Sequence, residues 1–123
     1  MSHHVLLIED EPNIMEAIRF FLSRDGWKVS CHSDGATAVS EVNRITPDVV
    51  VLDVMLPNRS GFDVLKELRA APDTRDLPVL MLTAKGQTKD RERAEQLGSS
   101  GFMTKPFSNA EVLEKLRSMV GHA

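Results

Sequence analysis

Residues 49–53 read VVVLD, so four aliphatic side chains are followed at once by a carboxylate. A short unbroken apolar run is typical of a strand buried on both faces of a parallel sheet. Two further runs have the same length and character, Val5–Ile8 and Val79–Leu82. Lys28–His32 alternates instead and predicts an edge strand, and Gly101–Met103 predicts a short fifth strand.

Amphipathic segments separate these runs and predict five helices. In four of them apolar residues recur at helical spacing, and prolines, glycines or caps mark the ends. The last helix opens with a capping box, Ser108-Asn109-Ala110-Glu111. The fourth segment, Gln87–Leu97, has only Ala94 and Leu97 as apolar anchors, so we expect this helix to be weakly held and mobile.

Strands and helices alternate along the whole chain, which predicts an α/β fold with a doubly wound parallel sheet and right-handed crossovers. The flavodoxin-like strand order 2-1-3-4-5 is one of two common solutions, and it places the alternating strand at an edge. We expect a single domain over residues 1–123, because this length fits one compact unit and no internal linker or repeat divides it.

Composition excludes several classes of partner. The net charge is -3 and the pI about 5.8, so no basic excess indicates direct nucleic-acid binding or an anionic membrane. No apolar run is long enough to span a bilayer. The single cysteine, Cys31, rules out an internal disulfide and suits a reducing cytosol, so we expect a cytoplasmic protein. Its alternating surroundings favour a packed strand residue over a nucleophile.

The polar residues that matter most follow directly after strands. In an open parallel sheet, ligands bind outside the carboxyl ends of the strands, where the strand order reverses. The order 2-1-3-4-5 puts the third strand between the first and the fourth, so Asp53 should stand at the centre of this edge. The side chains expected around it are Glu9, Asp10, Glu11, Thr83 and Lys105.

Carboxylates gathered at one edge need a compensating charge. Two of them about 4 Å apart repel by roughly 4 kcal/mol at an effective dielectric near 20. Lys105 supplies one positive charge, and a divalent cation would supply the rest. The available ligands are hard oxygens with no His or Cys beside them, which favours Mg²⁺ over zinc. With the cation, Thr83 and Lys105 could hold a phosphoryl group on Asp53, a carboxylate that needs no general base.

These residues resemble the receiver domain of two-component signalling. Four fragments carry the resemblance across essentially the whole chain: IEDE at 8–11, VLDVMLP at 51–57 with Gly61, LTA at 82–84 and KPF at 105–107. Each fragment is weak alone, but all four in order, each after a strand, are a strong indication.

The resemblance implies a phosphorylation-controlled signalling module of a phosphorelay. Asp53 would accept a phosphoryl group from a phosphohistidine on a sensor histidine kinase or a phosphotransfer protein. The output would be a changed surface around the fourth helix, fifth strand and fifth helix, offered to an unknown partner. Such a domain is not an enzyme in the usual sense, because it catalyses only its own phosphorylation and dephosphorylation.

The family pattern also implies a role for each matching residue. Asp10 resembles the direct Mg²⁺ ligand, Glu9 its partner acting through water, and the backbone carbonyl of Met55 the third protein ligand beside Asp53. Thr83 and Lys105 resemble the phosphoryl-binding pair, and the backbone of Ala84 resembles a further phosphoryl-binding group. Thr83 and Phe102 resemble the switch residues. The Lys105–Pro106 peptide bond is usually cis in the family.

Departures from the family pattern lead to two further expectations. Ser99-Ser100-Gly101 stands where the winged-helix DNA-binding branch typically has an acidic pair used in dimerisation, so we expect a monomer or a weak phosphorylation-dependent dimer. Met55 and Lys85 flank the expected path of attacking water, and neither is an amide or acid that would orient it. A persistent phosphoryl group is therefore expected. The switch position is Phe102, which has no hydroxyl.

Other interpretations remain open at this point. A phosphatase with an aspartate nucleophile commonly needs a second acid two positions on, where this chain has Met55. A phosphorylation-independent scaffold of the same fold is the main alternative, and the intact set Asp53, Thr83 and Lys105 argues against it. A flavin site is disfavoured because acidic residues follow the first strand. Thr83 could instead cap the next helix.

Overall fold

The structure is a computed structural model that describes residues 3–84 and 88–120. The strands within these residues are β1 (His4–Ile8), β2 (Lys28–His32), β3 (Val49–Asp53), β4 (Val79–Ala84) and β5 (Gly101–Lys105). The helices are α1 (Pro12–Arg24), α2 (Ala38–Ile45), α3 (Gly61–Ala70), α4 (Thr88–Gln96) and α5 (Asn109–Met119), with a 3-10 turn at Gly35–Thr37 before α2.

The five strands form one parallel sheet in the order β2-β1-β3-β4-β5. The predicted doubly wound, flavodoxin-like α/β architecture is therefore confirmed. Backbone pairing sets Ile8 opposite Leu52 and Asp53 opposite Leu82, so the central strands end at nearly the same level. This alignment creates the polar edge that the sequence predicts.

The core lies on both faces of the sheet because successive side chains of each strand point to opposite sides. The three apolar runs are fully buried, as expected of central strands. One face packs under α2, α3 and α4, and the other under α1 and α5. The predicted edge strand β2 is only partly covered, and Cys31 on it is a half-buried side chain whose thiol pKa is raised by burial.

The only tryptophan of the chain, Trp27, lies just before β2 and packs into the core on the α1 and α5 side. Its indole Nε1 donates a hydrogen bond to Asp25 Oδ2 at 3.1 Å. Asp25 also forms an ion pair with Arg117 of α5, so this corner joins α1, β2 and α5. It belongs to the edge of the sheet where the strands begin.

Local signals account for the helix ends. Pro12 occupies the start of α1, and Ser108 Oγ accepts a hydrogen bond from Glu111 N at 3.1 Å at the predicted cap of α5. The α2 helix ends at Ile45, because the next residue, Thr46, has a φ of 48° that precludes another helical turn. No helix within residues 3–84 and 88–120 has the length and apolar character needed to cross a membrane.

The fourth helix is held differently from the others. Ala94 is its only buried residue, which confirms the thin apolar stripe, and Leu97 lies just past its end. Two arginines add contacts on its flanks. The Arg93 guanidinium lies 4.7 Å from the ring centroid of Phe62, and that of Arg91 lies 5.9 Å from that of Phe102. Its mobility stays a prediction, and the predicted first residue, Gln87, lies outside the described residues.

Candidate functional site

The candidate site lies where the strands end. Asp53 closes β3 and is 2% exposed, and Glu9 follows β1 and is fully buried. The strands run slightly further than their apolar runs, because Thr83 pairs with Thr104 and Ala84 with Lys105. Asp53 and Lys105 are therefore the final residues of their strands, and Thr83 is the last but one of β4. Sheet pairing fixes the backbones of all three.

Three acids form the centre of the site. Carboxylate oxygens of Glu9, Asp10 and Asp53 all lie within 4.8 Å of one another, and no other His, Cys, Asp or Glu of the described residues joins this group. Glu9 and Asp53 are buried, while Asp10 is exposed at the rim. Glu11, the third acid of the loop, is exposed, and its backbone N–H donates to Glu9 Oε1 at 3.0 Å.

Lys105 provides the positive charge that the cluster requires. Its Nζ lies 3.1 Å from Glu9 Oε2 and 3.3 Å from Asp53 Oδ2. Burial alone would lower the pKa of Lys105, but the negative charges of Asp53 and Glu9 outweigh it and hold this pKa above its usual value. The lysine is thus a fixed ammonium group between two buried carboxyls.

The electrostatics of Glu9 show that one lysine is not sufficient. Burial raises the pKa of Glu9 to about 7, and the nearby charge of Asp53 adds to that effect against the hydrogen bond from Glu11. Asp53 is oriented by a hydrogen bond from Met55 N to its Oδ1 at 3.2 Å. Without further positive charge, the Glu9 carboxyl with this pKa is about half protonated near neutral pH.

The residues present fit a hard divalent cation. Glu9 Oε2 has Lys105 as an ion-pair partner but accepts no well-directed hydrogen bond within the described residues, and Asp10 is exposed at the opening. Oxygen donors in a negatively charged cleft are what Mg²⁺ selects. Met55 lines the same cleft, with its side chain 72% exposed and its backbone beside Asp53.

Thr83 is buried, and its Oγ1 has no hydrogen-bond partner among the residues that the structure describes. The interpretation of Thr83 as a helix cap is wrong, because both Thr83 and the next residue, Ala84, are paired within β4. A buried hydroxyl without a partner is costly, so its presence indicates a function other than packing. Ala84, the next residue, ends the strand at the level of Lys105.

Phe102 does not line the cleft. It is half-buried on β5, opposite Met81, and packs against the core beneath α4 on the sheet face that also bears Thr83. Lys85 lies outside the described residues. The Lys105–Pro106 bond is cis, as the resemblance implied. Three supporting residues of neighbouring loops were not identified from the sequence: Asp34, Gly35 and Asn58.

Residues 5–117 match the family described as the response regulator receiver domain. This chain belongs to the response regulator receiver family. The receiver domain is 44% identical over 116 residues to the probable transcriptional regulatory protein TcrX of Mycobacterium tuberculosis. The matched segment covers 94% of this chain and 49% of TcrX. The chain spans about half the length of the curated relatives it matches.

Solved structures agree with this assignment. A putative response regulator from Chloroflexus aurantiacus superimposes on the receiver domain with a TM-score of 0.95 at 27% identity, covering 99% of this chain and 100% of that one. The receiver domain of the sensor histidine kinase PA1611 from Pseudomonas aeruginosa gives 0.90 at 32% identity with the same coverage. The PA1611 domain was solved with a magnesium ion coordinated in its active site cleft.

Proposed function

We propose that this receiver domain accepts a phosphoryl group on Asp53, with Mg²⁺, from a phosphohistidine of a sensor histidine kinase or phosphotransfer protein. The observation that carries the proposal is the contact between Lys105 Nζ and the buried Asp53 carboxylate at 3.3 Å beside two further acids. In this arrangement Asp53 is the nucleophile, and the Lys105 ammonium group is positioned to neutralise negative charge on the phosphoryl oxygens.

The carboxylates of Glu9, Asp10 and Asp53 and the backbone carbonyl of Met55 would hold the magnesium ion. When bound, the ion neutralises excess carboxylate charge and the charge of phosphoryl oxygens. The magnesium ion in the PA1611 cleft supports this assignment for a related domain.

The chain's own residues account for the transfer itself. A carboxylate oxygen of Asp53 attacks phosphorus, an O–P bond forms, and the N–P bond of the donor breaks with its electron pair leaving on the imidazole. Lys105 pairs with a phosphoryl oxygen as its contact with the Asp53 carboxylate is replaced. The Thr83 hydroxyl and the backbone N–H of Ala84 donate to the other oxygens.

The remaining parts of the proposal concern partners and output. Phosphorylation would change the surface over α4, β5 and α5 through Thr83 and Phe102, and an output partner would recognise the new surface. The domain would catalyse only its own phosphorylation and dephosphorylation, bind no nucleic acid directly, act in the cytoplasm and remain a monomer or a weak phosphorylation-dependent dimer. The single domain over residues 1–123 is part of the same proposal.

Incubation with a small acyl phosphate and Mg²⁺, followed by intact mass measurement, tests the function. We expect one phosphoryl adduct that is absent without Mg²⁺ and absent in Asp53→Asn. The matched control is Asp48→Asn, an exposed acid at the opposite edge of the sheet. No adduct on the folded wild-type chain would favour the phosphorylation-independent scaffold, and turnover of many phosphate esters would favour a phosphatase.

A further inference from the structure

Two clamps hold the loop between β3 and α3, which contains Met55. At its base, Gly61 N donates to Val54 O at 2.9 Å, and a Cβ on Gly61 would lie 2.2 Å from the Asp53 carbonyl oxygen. Only a glycine allows the chain to return so closely past the end of β3. The base of the loop is therefore fixed against the residue that we propose as phosphoacceptor.

The second clamp comes from the loop between β2 and α2. Gly35 N donates to Pro57 O at 3.1 Å, and a Cβ on Gly35 would lie 2.0 Å from the Arg59 carbonyl oxygen. Asn58 Nδ2 donates to Asp34 Oδ1 at 3.1 Å, an atom that also accepts from Ala36 N. Backbone and side-chain bonds thus tie the tip of one loop to its neighbour.

Met55 lies between these clamps. A backbone carbonyl has no rotatable side chain, so the backbone on both sides sets the direction in which it can meet a metal ion. The hydrogen bond from Met55 N to Asp53 Oδ1 adds a third restraint at the same residue. Hydrogen bonds therefore link the Met55 peptide to the Asp53 carboxylate and tie the loop on both sides of them.

We propose that Asp34, Gly35 and Asn58 are positioning residues for the divalent cation, acting through the loop that contains Met55. They touch neither the cation nor the phosphoryl group. Asp34 is outside the acid group that could hold a metal within the described residues, so its role is to fix the loop and not to ligate. This inference rests on the proposed function, because it assumes that Mg²⁺ binds at Asp53.

Titration with MgCl₂, followed by calorimetry on the folded chain, tests the inference. Gly35→Ala forces the Arg59 backbone away, and Asp34→Ala removes the shared acceptor. We expect each to weaken Mg²⁺ binding by about tenfold, as loss of an outer support typically does. Asp34→Asn keeps an oxygen acceptor and should bind nearly as the wild type does.

Two further variants separate positioning from simple destabilisation. Gly26→Ala is a matched control, since Gly26 has φ +94° and open space around it at the far edge of the sheet. It should lower stability and leave Mg²⁺ affinity unchanged. Asn58→Gly deletes the side-chain amide, and glycine readily adopts the φ of 69° found at this position. This variant replaces Gly35→Ala in the test if Gly35→Ala does not fold. It should also weaken binding.

The rate of adduct formation gives a second readout. Because the supports act only through the cation, Asp34→Ala should need more Mg²⁺ for half of its maximal rate but reach nearly the wild-type rate at saturation. Unchanged Mg²⁺ affinity in Gly35→Ala, Asp34→Ala and Asn58→Gly, with normal binding by the wild type, overturns this inference and leaves the proposed function standing. Absence of Mg²⁺ binding by the wild type overturns both.

Discussion

At Thr83, one substitution should change stability and the proposed phosphorylation in opposite directions. Its buried Oγ1 has no partner in the described part of the chain, so Thr83→Val removes an unsatisfied oxygen and keeps the shape of the side chain. We expect the free energy of unfolding to rise by about 1 kcal/mol. We also expect slower phosphorylation, because a phosphoryl donor is lost.

The control for this substitution is Thr74→Val. Thr74 is also buried, but its Oγ1 donates to Leu68 O at 2.6 Å, so the same change leaves that carbonyl without this donor. Urea unfolding should show Thr74→Val less stable than the wild type and Thr83→Val at least as stable. A loss of stability in Thr83→Val comparable to that in Thr74→Val would refute the prediction.

Met55 is the second informative residue, because it combines exposure with a position two residues after Asp53. Its thioether cannot orient water, so the phosphoryl group should persist. Met55→Asn places an amide there, and we expect faster release of phosphate from the phosphorylated chain with little change in stability, since the side chain is 72% exposed. Phe20→Asn, at a distant exposed apolar position, should leave the release rate unaltered.

The residues of the cleft could be predicted because each follows an apolar run at a fixed edge of a parallel sheet. Asp53, Glu9, Asp10 and Lys105 came together as that rule requires. The supports of the Met55 loop could not be predicted in the same way. Whether a glycine such as Gly35 is free or pressed against another loop depends on tertiary packing that no local pattern encodes.

Between elements, the clearest contrast is that of α3 and α4. Five residues of α3 are buried, but only Ala94 of α4 is, and Arg93 and Arg91 of α4 contact the rings of Phe62 and Phe102. We expect backbone amides of α4 to exchange with deuterium much faster than those of α3. Arg93→Gln should speed exchange in α4 further, while Arg19→Gln, an exposed change on α1, should not. Equal protection of the two helices would contradict this.

The hydrophobic pattern of the sequence predicted which strands and helices form, but it did not predict where they end. The predicted strands stop where the apolar runs stop, whereas real pairing continues to Asp53, Ala84 and Lys105 because neighbouring backbones still offer hydrogen-bond partners. The 3-10 turn at Gly35–Thr37 was missed, since its stability comes from Asp34 and from the adjoining Pro57 loop. Tertiary contacts thus set the boundaries that local sequence leaves open.

For the whole molecule, the buried carboxyl of Glu9 couples folding to pH. Glu9 has a pKa of about 7 in the folded chain, above its unfolded value of 4.5. The folded state therefore holds the proton more tightly, so this group's contribution to stability is fully present below pH 4.5 and is lost as pH rises through 7. The Mg²⁺ ion that we propose would bind the Glu9 carboxylate, so protons would compete with it at pH values below about 7.

We expect Mg²⁺ to raise the melting temperature more at about pH 8 than at about pH 6, because binding at the lower pH must first displace a proton. In metal-free buffer, the stability of Glu9→Gln should fall less between about pH 6 and about pH 8 than that of the wild type, because an amide does not titrate. Melting curves with and without MgCl₂ at both pH values check this. An Mg²⁺ effect that is larger at the acidic value would contradict it.

The corner built around Trp27 has a practical consequence for all of these measurements. The chain contains one tryptophan and no tyrosine, so its near-ultraviolet emission comes from a single indole, 8% exposed at the edge of the sheet where the strands begin. Loss of that shielding on denaturation should shift the emission to longer wavelength. Cation binding at the opposite edge should leave the spectrum unchanged, so fluorescence can follow equilibrium unfolding at any magnesium concentration on one common baseline.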